Sequence, residues 1–330
     1  MSNKWNVVIG RFSGFHAGHE YLIETALSLG GKVIILLGSA NKPRTIKNPW
    51  TWKERATKIL KKFPEAIIAP INDYKYNDEH WVNDVNFTVN HLVLANGGTS
   101  TDQTTLVGHE KEDTTYLSWF PNWRSYTARN TIIASGTITR KWLFENNPTI
   151  FPAELQEDYL YFKNEAEKFA SYPFPETLNF SCADSVVECA GHILLIQRIA
   201  APGRNTWAVP GGFKNSNETF IECALRELRE ETNLRVTEKV LRGSIVREKL
   251  YDSPDRGCGI PRITKAFYFK IEKDRDGGLP RANAKSDAKQ AKWVPISTVL
   301  SEYKLFDDHL DIISDLTGAK PISAILNPNV

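Results

Sequence analysis

Residues 211–234, GGFKNSNETFIECALRELREETNL, contain the pattern that predicts the fold of the second half of the chain. A Gly-Gly loop opens the stretch, and we predict a helix over residues 216–232. Glu227, Glu230 and Glu231 stand at positions i, i+3 and i+4, so their carboxylates share one helix face. Like charges in that arrangement repel, and a divalent cation removes the conflict. Oxygen ligands with open water positions suit Mg²⁺ or Mn²⁺ bound together with a substrate phosphate.

The acidic face also has a purely structural interpretation, as a solvated surface balanced by Arg226 and Arg229. Three glutamates on one helix would favour that interpretation if they stood alone. Gly212, Glu218 and Arg226 also stand at fixed offsets from them, and this combination favours a metal and phosphate site.

The stretch resembles the Nudix box, the signature of hydrolases that cleave nucleoside diphosphates linked to another moiety. Asn233 stands where the family has Gly, and because Asn tolerates a positive φ we expect the helix to end there. When bound, the metal would polarise the pyrophosphate and lower the pKa of the attacking water. The resemblance implies metal ligands (Glu227, Glu230 and Glu231, the last two also catalytic), substrate-binding glycines (Gly211 and Gly212) and a supporting pair (Glu218 with Arg226).

Length and composition limit the class of protein. A chain of 330 residues predicts two domains, and 41 Lys plus Arg against 39 Asp plus Glu give no case for a nucleic-acid or membrane partner. Neither a signal-peptide pattern nor an apolar run of membrane-spanning length is present in the sequence. Cys182, Cys189, Cys223 and Cys258 lack paired metal-ligand spacing, and we expect reduced thiols in a cytoplasmic protein.

The first half alternates strand and helix patterns, which predicts a doubly wound parallel sheet with helices on both faces. Ligands of such sheets bind at the carboxyl ends of the strands. The expected strands cover residues 5–10, 32–38, 66–71 and 105–108, and the expected helices run to about 29, from 51, and over 80–94.

The first of those carboxyl ends leads into an HxGH motif. His16 and His19 follow a glycine-rich turn at a helix N-terminus, which suits an anionic phosphate. A single loop histidine often has no chemical role, and a zinc site is a further alternative, although no third ligand is evident.

A second stretch, IASGTITR at 133–140, also suits a phosphate. Ser135 and Thr137 can cap a helix, and Arg140 projects one turn further in as a phosphate clamp. By itself this pattern is more typical of a simple cap. Together the two stretches resemble the HxGH and ISxTxxR motifs of nucleotidylyltransferases. The first stretch departs from the family pattern GRFxPxHxGH at Gly14, where Pro is usual.

Within that superfamily the chain resembles the archaeal type of nicotinamide-mononucleotide (NMN) adenylyltransferase. Asn48-Pro49, Glu54-Arg55 and Trp81-Val82 after Asp78 support the resemblance. It implies that ATP is a substrate and that the NMN phosphate attacks its α-phosphorus in line, by positioning and electrostatics. The implied residues are catalytic (His16, His19 and Arg140) or substrate-binding (Gly10, Arg11, Phe12, Arg44, Trp81, Ser135 and Thr137).

Two of these assignments have structural alternatives of equal weight. Trp81 would stack on the nicotinamide ring, or it is a core tryptophan of an amphipathic helix. Arg44 would bind phosphate, or it is a surface cation.

A helix at 152–172, followed by Tyr-Pro-Phe-Pro, predicts a domain boundary near residue 175. The resulting domains are 1–175 and 176–330. The second domain shows a hairpin pattern at 185–189 and 192–197, strands at 237–247 and 264–271, and a closing helix at 307–316. This order fits the α/β/α sandwich that the Nudix resemblance implies.

The Gly-, Pro- and Arg-rich loop 254–264 suits a phosphate or ribose contact. Arg256 and Arg262 are the candidate residues, with solvated loop arginines as the alternative. Some Nudix ADP-ribose hydrolases take their catalytic base from a late loop. Asp287 is the only acid at 284–293. Glu231 or a metal-bound hydroxide could serve instead.

The order of the two patterns resembles the bifunctional NMN adenylyltransferase/Nudix hydrolase family over nearly the whole chain. The resemblance implies small-molecule partners (ATP, NMN and ADP-ribose), synthesis of NAD in the first domain, and Mg²⁺-dependent hydrolysis of ADP-ribose in the second. It also implies a homo-oligomer. The alternatives are a Nudix domain that acts on NAD(H) or a dinucleoside polyphosphate, a domain that senses a nucleotide without cleaving it, and an adenylyltransferase whose acceptor is another phosphate monoester, such as phosphopantetheine.

Overall fold

The computed structural model describes residues 4–109, 115–129, 135–174, 177–285 and 288–327. The chain divides into two compact units, one of residues 1–148 with 323–330, the other of residues 149–322. Among the helices in these described ranges, none is both long and apolar enough to cross a bilayer.

The first unit contains a five-stranded sheet, and all of its strands are parallel. The spatial order β3-β2-β1-β4-β5 reverses direction at β1, as in a doubly wound fold. Its elements in chain order are β1 (Lys4–Gly10), α1 (Ala17–Ser28), β2 (Lys32–Leu37), α2 (Trp52–Leu60), β3 (Ile67–Pro70), α3 (Asp78–Ala95), β4 (Gln103–His109), β5 (Arg124–Ala128) and α4 (Gly136–Asn146).

Alternate residues of the central strands enter two separate cores, because successive side chains of a strand point to opposite faces of the sheet. Val8 and Ile35 pack with Ile23 of α1, whereas Val7 and Ile34 pack with residues of α3. Helices therefore cover both faces, as the alternating pattern predicts.

Strand β5 is an element that the sequence did not predict. Its residues RSYTA are exposed except for Ala128, because β5 is the edge strand of the sheet. An edge strand without an apolar run lacks the hydrophobic pattern by which a buried strand is detected.

The second unit contains a mixed sheet in the order β10-β11-β6-β7-β12, with β8 and β9 paired to β7 and β6. The pair β11 and β6 is parallel and the other pairs are antiparallel. Its elements are α5 (Ala153–Lys168), β6 (Phe180–Cys189), β7 (His192–Arg198), β8 (Trp207–Ala208), β9 (Gly211–Phe213), α6 (Phe220–Thr232), α7 (Glu238–Gly243), β10 (Ile245–Tyr251), β11 (Arg262–Ile271), β12 (Ala288–Pro295), α8 (Ile296–Glu302) and α9 (His309–Thr317).

Helices lie on both faces of this second sheet. The Ser185 hydroxyl donates a hydrogen bond to the carbonyl of Ala224 in α6 at 3.0 Å. The neighbouring residue Asp184 points to the other face, where Arg256 links it to Asp308, the residue that precedes α9. The sheet is thus the middle layer of an α/β/α sandwich.

Two predicted elements of the second unit have different bounds in the structure. The helix expected at 216–232 begins at Phe220, because Thr219 and Glu222 form a reciprocal capping box at its start. Its end is as predicted, with Asn233 at φ 44°. The strand expected at 237–247 is wrong: Thr237 precedes the helix Glu238–Gly243, and the strand begins only at Ile245.

The boundary near residue 175 also differs from the division of the structure, which falls between residues 148 and 149. The helix expected to close the first domain is α5, and it packs within the second unit. Asp158 accepts the Gly203 N–H at 2.9 Å, and Glu165 pairs with Arg262 at 2.5 Å. These contacts involve residues distant in sequence, so the local proline pattern could not reveal them.

Candidate active sites

The loop after β1 requires unusual backbone conformations. Phe12 has φ 49° and Gly14 has φ 75°, and the Phe12 ring is buried over Gly10. A Cβ placed on Gly10 would lie 3.1 Å from that ring, so glycine permits the close packing. The loop delivers His16 to the N-cap position of α1.

Two histidines stack at the N-terminus of α1. The rings of His16 and His19 have centroids 3.7 Å apart, and His19 also contacts Phe12 at 4.8 Å. The His16 N–H donates to Nδ1 of His19 at 3.4 Å. A helix N-terminus presents unsatisfied N–H groups and the positive end of the helix dipole, so this position favours an anion.

The N-terminus of α4 lies against the same loop. Arg140 donates to the Ser13 carbonyl at 3.3 Å and to the Thr137 hydroxyl at 3.1 Å. A Cβ on Gly136 would lie 2.9 Å from the Ser13 carbonyl and 3.9 Å from Nε2 of His16. Ser135 is the N-cap of this helix. The structure thus joins the HxGH loop to Ser135, Thr137 and Arg140, while residues 130–134 lie outside the described ranges.

Two other predicted residues of the first unit have structural partners, and a third is exposed. Arg44 forms an ion pair with Glu54 at 2.7 Å and donates to the Pro49 carbonyl at 3.0 Å. Trp81 is half-buried and meets Phe120 edge to face at 6.0 Å. The Arg11 side chain is exposed beside the loop. Their roles in substrate binding stay predictions.

Arg55 is a buried residue whose role the sequence did not reveal. Its guanidinium donates to the carbonyls of Arg11 and, at 2.9 Å, Gly38. Burial lowers the pKa of Arg55 to about 10, and nearby Asp73 opposes that shift. Arg55 therefore joins the loops that follow β1 and β2. In the sequence it is one more cation on an amphipathic helix.

In the second unit, Arg226 and Glu218 form a bidentate ion pair. Nε and Nη2 of Arg226 donate to the two carboxylate oxygens of Glu218 at 2.9 and 2.7 Å. Nη2 also donates to the Phe213 carbonyl at 3.0 Å. Hydrogen bonding to Arg226 lowers the pKa of Glu218 to about 2. These bonds fasten the loop between β9 and α6 to the helix.

The acidic face of α6 lies against the Gly-Gly backbone. A Cβ on Gly212 would lie 2.4 Å from Oε1 of Glu227, so only glycine leaves room for that carboxylate. Nη1 of Arg226 donates to Glu227 at 2.7 Å and to Glu230 at 3.2 Å. Burial raises the pKa of Glu227, and the neighbouring Glu230 adds to that effect.

Glu231 is the most buried of the three acidic ligands that the sequence predicts. It accepts the Gly211 N–H at 3.0 Å, and burial, reinforced by Glu227, raises its pKa to about 8. The same desolvation and repulsion would favour a bound cation.

The donor chemistry of the three glutamates fits Mg²⁺ or Mn²⁺. Within the described ranges, however, no three acidic, histidine or cysteine side chains converge as a metal cluster. Arg226 is paired with two of the carboxylates, and the Gly211 N–H with the third. The assignment of these glutamates as ligands therefore stays a prediction.

Arg256, a candidate substrate contact, is instead buried in an ion-pair cluster. Arg256 is 5% exposed and pairs with Asp308 at 2.9 Å and Asp184 at 3.5 Å. Arg256 is buried because two carboxylates balance its charge. Both carboxylates lie outside the loop Pro254–Thr264, so the sequence of the loop could not reveal them. A Cβ on Gly211 would lie 2.1 Å from Asp184, so this cluster supports the Gly-Gly loop from behind. The available signal in the sequence was Asp184, an acidic residue inside an otherwise apolar strand.

Arg262 is the first residue of β11 and is mostly buried. It pairs with Glu165, and its guanidinium lies 5.6 Å from the rings of Phe162 and Phe180 and 5.8 Å from that of Phe213. Glu165 and the three rings therefore surround its guanidinium beside the Gly-Gly loop. Asp287, the candidate base, lies outside the described residues.

Taken together, the fold and the two sites define a class of protein with a nucleotide-binding parallel-sheet unit and a unit whose acidic helix faces a Gly-Gly loop. Two domain families match the corresponding ranges. The cytidylyltransferase-like family matches residues 7–111, and the NUDIX domain family matches residues 180–316.

Individual proteins resemble one half or the whole of the chain. A nicotinamide/nicotinic acid mononucleotide adenylyltransferase from Acinetobacter baylyi is 39% identical over 36% of this chain, and the match spans 62% of that relative. An ADP-ribose pyrophosphatase from Methanocaldococcus jannaschii is 33% identical over 46% of this chain and 79% of its own length. The crystal structure of a bifunctional NMN adenylyltransferase/ADP-ribose pyrophosphatase from Francisella tularensis, with AMP and a manganese ion, is 28% identical. It covers 96% of this chain and 99% of its own, with a TM-score of 0.84.

The chain therefore belongs to the Nudix family, in the bifunctional group in which an NMN adenylyltransferase-type domain precedes the NUDIX domain.

Proposed function

We propose that this chain is a bifunctional enzyme of NAD metabolism. The first unit transfers AMP from ATP to NMN, which gives NAD and pyrophosphate. The second unit hydrolyses ADP-ribose to AMP and ribose 5-phosphate with Mg²⁺ or Mn²⁺. The observation that carries the proposal is the contact of the acidic face of α6 with the Gly211–Gly212 backbone. The other unit of the chain gathers two histidines and Arg140 at the loop after β1, an arrangement that supports phosphate binding there.

In the first unit, the side chains at the loop stabilise charge and hold the triphosphate. A phosphate oxygen of NMN attacks the α-phosphorus of ATP, the bond to the bridging oxygen breaks, and pyrophosphate leaves. His16, His19 and Arg140 neutralise charge on the phosphates during this exchange. No protein nucleophile is required, so the rate depends on how rigidly the loop positions these groups.

In the second unit, water attacks one phosphorus of the ADP-ribose diphosphate, and the bridging P–O bond breaks to release AMP and ribose 5-phosphate. The water's proton passes to a base, for which Glu231 is the candidate among the described residues. Glu227, Glu230 and Glu231 would hold the cation, which polarises the diphosphate when bound. Arg226 keeps Glu218 as its bidentate partner, so two of these carboxylates can exchange Arg226 for the cation.

Each activity is tested with the full chain and separate substrates. With Mg²⁺, ATP and NMN, we expect NAD and pyrophosphate in equal amounts, and with ADP-ribose we expect AMP and ribose 5-phosphate. Phosphopantetheine in place of NMN is the comparison substrate. Faster transfer to phosphopantetheine would overturn the assigned acceptor, and binding of ADP-ribose without cleavage would replace the hydrolase with a nucleotide sensor.

None of the four cysteines, all of which lie in the described ranges, forms a disulfide. We propose a cytoplasmic location on the basis of their reduced state, and a homo-oligomer on the basis of the family resemblance.

A further inference from the structure

Arg55 of α2 binds the backbone just beyond the ends of two neighbouring strands. Its Nη1 donates to the carbonyl of Arg11, and its Nη2 donates to the carbonyl of Gly38 at 2.9 Å. Arg11 directly follows the last residue of β1, and Gly38 directly follows the last residue of β2. A carbonyl beyond the end of a strand lies outside the hydrogen-bonding ladder of the sheet, so it needs another partner. Arg55 supplies that partner for both loops at once.

The guanidinium of Arg55 is held in a fixed place. Ala56 and Ile59 of the same helix pack in the core below β1 and β2, so α2 cannot shift without disturbing that core. Nε of Arg55 also donates to the Thr51 carbonyl at 3.4 Å. The residue is 3% exposed, so water does not compete for its donors.

Asp73 extends the connection to the loop after β3. Its carboxylate accepts the Ser39 N–H at 3.0 Å and the Ser39 hydroxyl at 2.5 Å, and its negative charge stabilises the buried guanidinium of Arg55. The amide of Asn41 donates to the Asp73 carbonyl at 3.0 Å. Three loops at the carboxyl edge of the sheet are therefore linked through Arg55 and Asp73.

The Arg11 carbonyl belongs to the peptide group that precedes Phe12. Phe12 has φ 49°, a left-handed conformation that a residue with a side chain adopts only at an energetic cost. The hydrogen bond from Arg55 fixes the plane of this peptide group. The Phe12 ring then packs against His19, with the ring centroids 4.8 Å apart.

The side chain of Arg11 depends on the same contacts. A Cβ on Gly38 would lie 3.8 Å from Cγ of Arg11, so the Arg11 side chain passes beside Gly38. The Gly38 N–H donates to the Gly10 carbonyl at 3.0 Å, while the Gly38 carbonyl accepts from Arg55. Arg55 thus fixes both the backbone of Arg11 and the residue beside its side chain.

We propose that Arg55 is a positioning residue for adenylyl transfer in the first unit. It does not touch the substrate; it holds the Arg11–Phe12 peptide group, and through that group it places Arg11 and His19 against the triphosphate. The inference rests on the proposed synthesis of NAD from ATP and NMN.

Two substitutions of Arg55 separate its geometry from its charge. Arg55→Met removes both hydrogen bonds and should lower kcat for NAD formation about 100-fold, because a small misplacement of positioned groups can cost that factor. Arg55→Lys keeps the charge, but its ammonium lacks the planar fork that reaches two carbonyls, and it should lower kcat about tenfold. Both variants should raise KM for ATP about tenfold and change KM for NMN less than threefold.

The control is Lys53→Met, which removes an exposed cation from the same helix and should leave all three constants unchanged. Rates are measured well below the melting temperature, on protein that circular dichroism shows to be folded. A purely structural Arg55 would lower the melting temperature and leave kcat and both KM values of the folded chain as in the wild type. That result would overturn the inference. If Arg55→Met fails to fold, Arg55→Lys decides, and a wild-type rate in Arg55→Lys would contradict the requirement for the fork.

ATP binding, measured by calorimetry with Mg²⁺, separates this inference from the proposed function. If the wild-type chain binds ATP but forms no NAD, the proposed synthesis fails while the positioning role is still tested. An affinity for ATP about tenfold weaker in Arg55→Lys would then support that role, and an equal affinity would overturn it. A wild-type chain that binds no ATP would overturn both.

Discussion

The two sites differ in the charge that the protein presents to phosphate. The loop after β1 offers His16, His19 and Arg140 at two helix N-termini. The loop after β9 lies instead against a row of carboxylates, with Arg226 between two of them. The first unit thus supplies positive charge from its own side chains, whereas the second concentrates negative charge that a cation must balance.

The two sites are also held together by different interactions. In the first, rings and backbone groups pack closely, and the stacked histidines are 3.7 Å apart. In the second, repulsion between carboxylates is tolerated because Glu218 and Arg226 fix the loop and helix. Substitutions should therefore separate the two activities.

The largest effect is expected from removing one charge of the acidic face. Glu230→Gln should lower the rate of ADP-ribose hydrolysis on the order of 100- to 1,000-fold, because a metal ligand contributes several kcal/mol to the transition state. NAD formation should not change. Product chromatography measures both rates, and Glu238→Gln, an exposed glutamate of α7, is the matched control. Hydrolysis at near the wild-type rate would show that the ligands are assigned wrongly.

The reciprocal change concerns the first site. His16→Ala should lower NAD formation about 100-fold, because it removes a group that stabilises charge on the ATP phosphates, and should leave hydrolysis intact. His91→Ala, an exposed histidine of α3, should have no effect on either rate. A loss of both activities in His16→Ala would mean that the sites are coupled.

A glycine substitution tests whether close packing positions the acidic face. Gly212→Ala brings a Cβ to 2.4 Å from Oε1 of Glu227, so the carboxylate must move. Overpacking of this kind costs about 1–3 kcal/mol, and we expect hydrolysis to fall about tenfold. Gly243→Ala is the control, since a Cβ there meets nothing within 4 Å. Equal rates for the two variants, measured at saturating Mg²⁺, would contradict the packing account.

A substitution of Trp81 tests whether this residue binds NMN in the first site. Trp81→Ala should raise KM for NMN about tenfold and leave KM for ATP unchanged, because base stacking on an aromatic ring is worth about 1–3 kcal/mol. Phe87→Ala, an exposed aromatic of the same helix, controls for the loss of a ring. Steady-state kinetics with each substrate varied gives both constants. A lower melting temperature with both KM values unchanged would identify Trp81 as a core residue only.

The smallest effect is a pH dependence confined to the second unit. Burial lowers the pKa of His309, whose Nδ1 accepts the Val209 N–H at 3.1 Å. Below its ordinary pKa of about 6.5, the unfolded chain binds more protons at this residue than the folded chain. His309 should therefore reduce the free energy of unfolding as pH falls from 7.5 to 5.5.

Comparison with His309→Gln isolates this contribution from that of Glu231, whose raised pKa acts in the opposite direction. Urea unfolding of the second unit at several pH values gives the difference. The variant should lose less stability than the wild type on acidification. The same slope in both would show that His309 is protonated in the folded chain.

The sequence predicted those features that depend on local spacing. The strand and helix alternation, the hairpin turn at Ala190 and Gly191, and the left-handed Asn233 all follow from short-range rules, and the structure confirms them. The acidic face of α6 also followed from spacing alone.

Features that depend on distant partners were not predictable in this way. Arg256 is buried because Asp184 and Asp308, distant in sequence, compensate its charge. Helix α5 belongs to the second unit through Asp158 and Glu165, which no pattern in the helix reveals. In both cases the deciding interaction is an ion pair or hydrogen bond that forms only when the chain has folded.

A synthase and a hydrolase can share one chain usefully only if the hydrolase spares the product of the synthase. The most direct test is chromatography after incubating the full chain with Mg²⁺, ADP-ribose and NAD in one reaction. We expect AMP and ribose 5-phosphate to form from ADP-ribose while NAD stays intact. Cleavage of NAD with ADP-ribose left whole would contradict this account of the two sites.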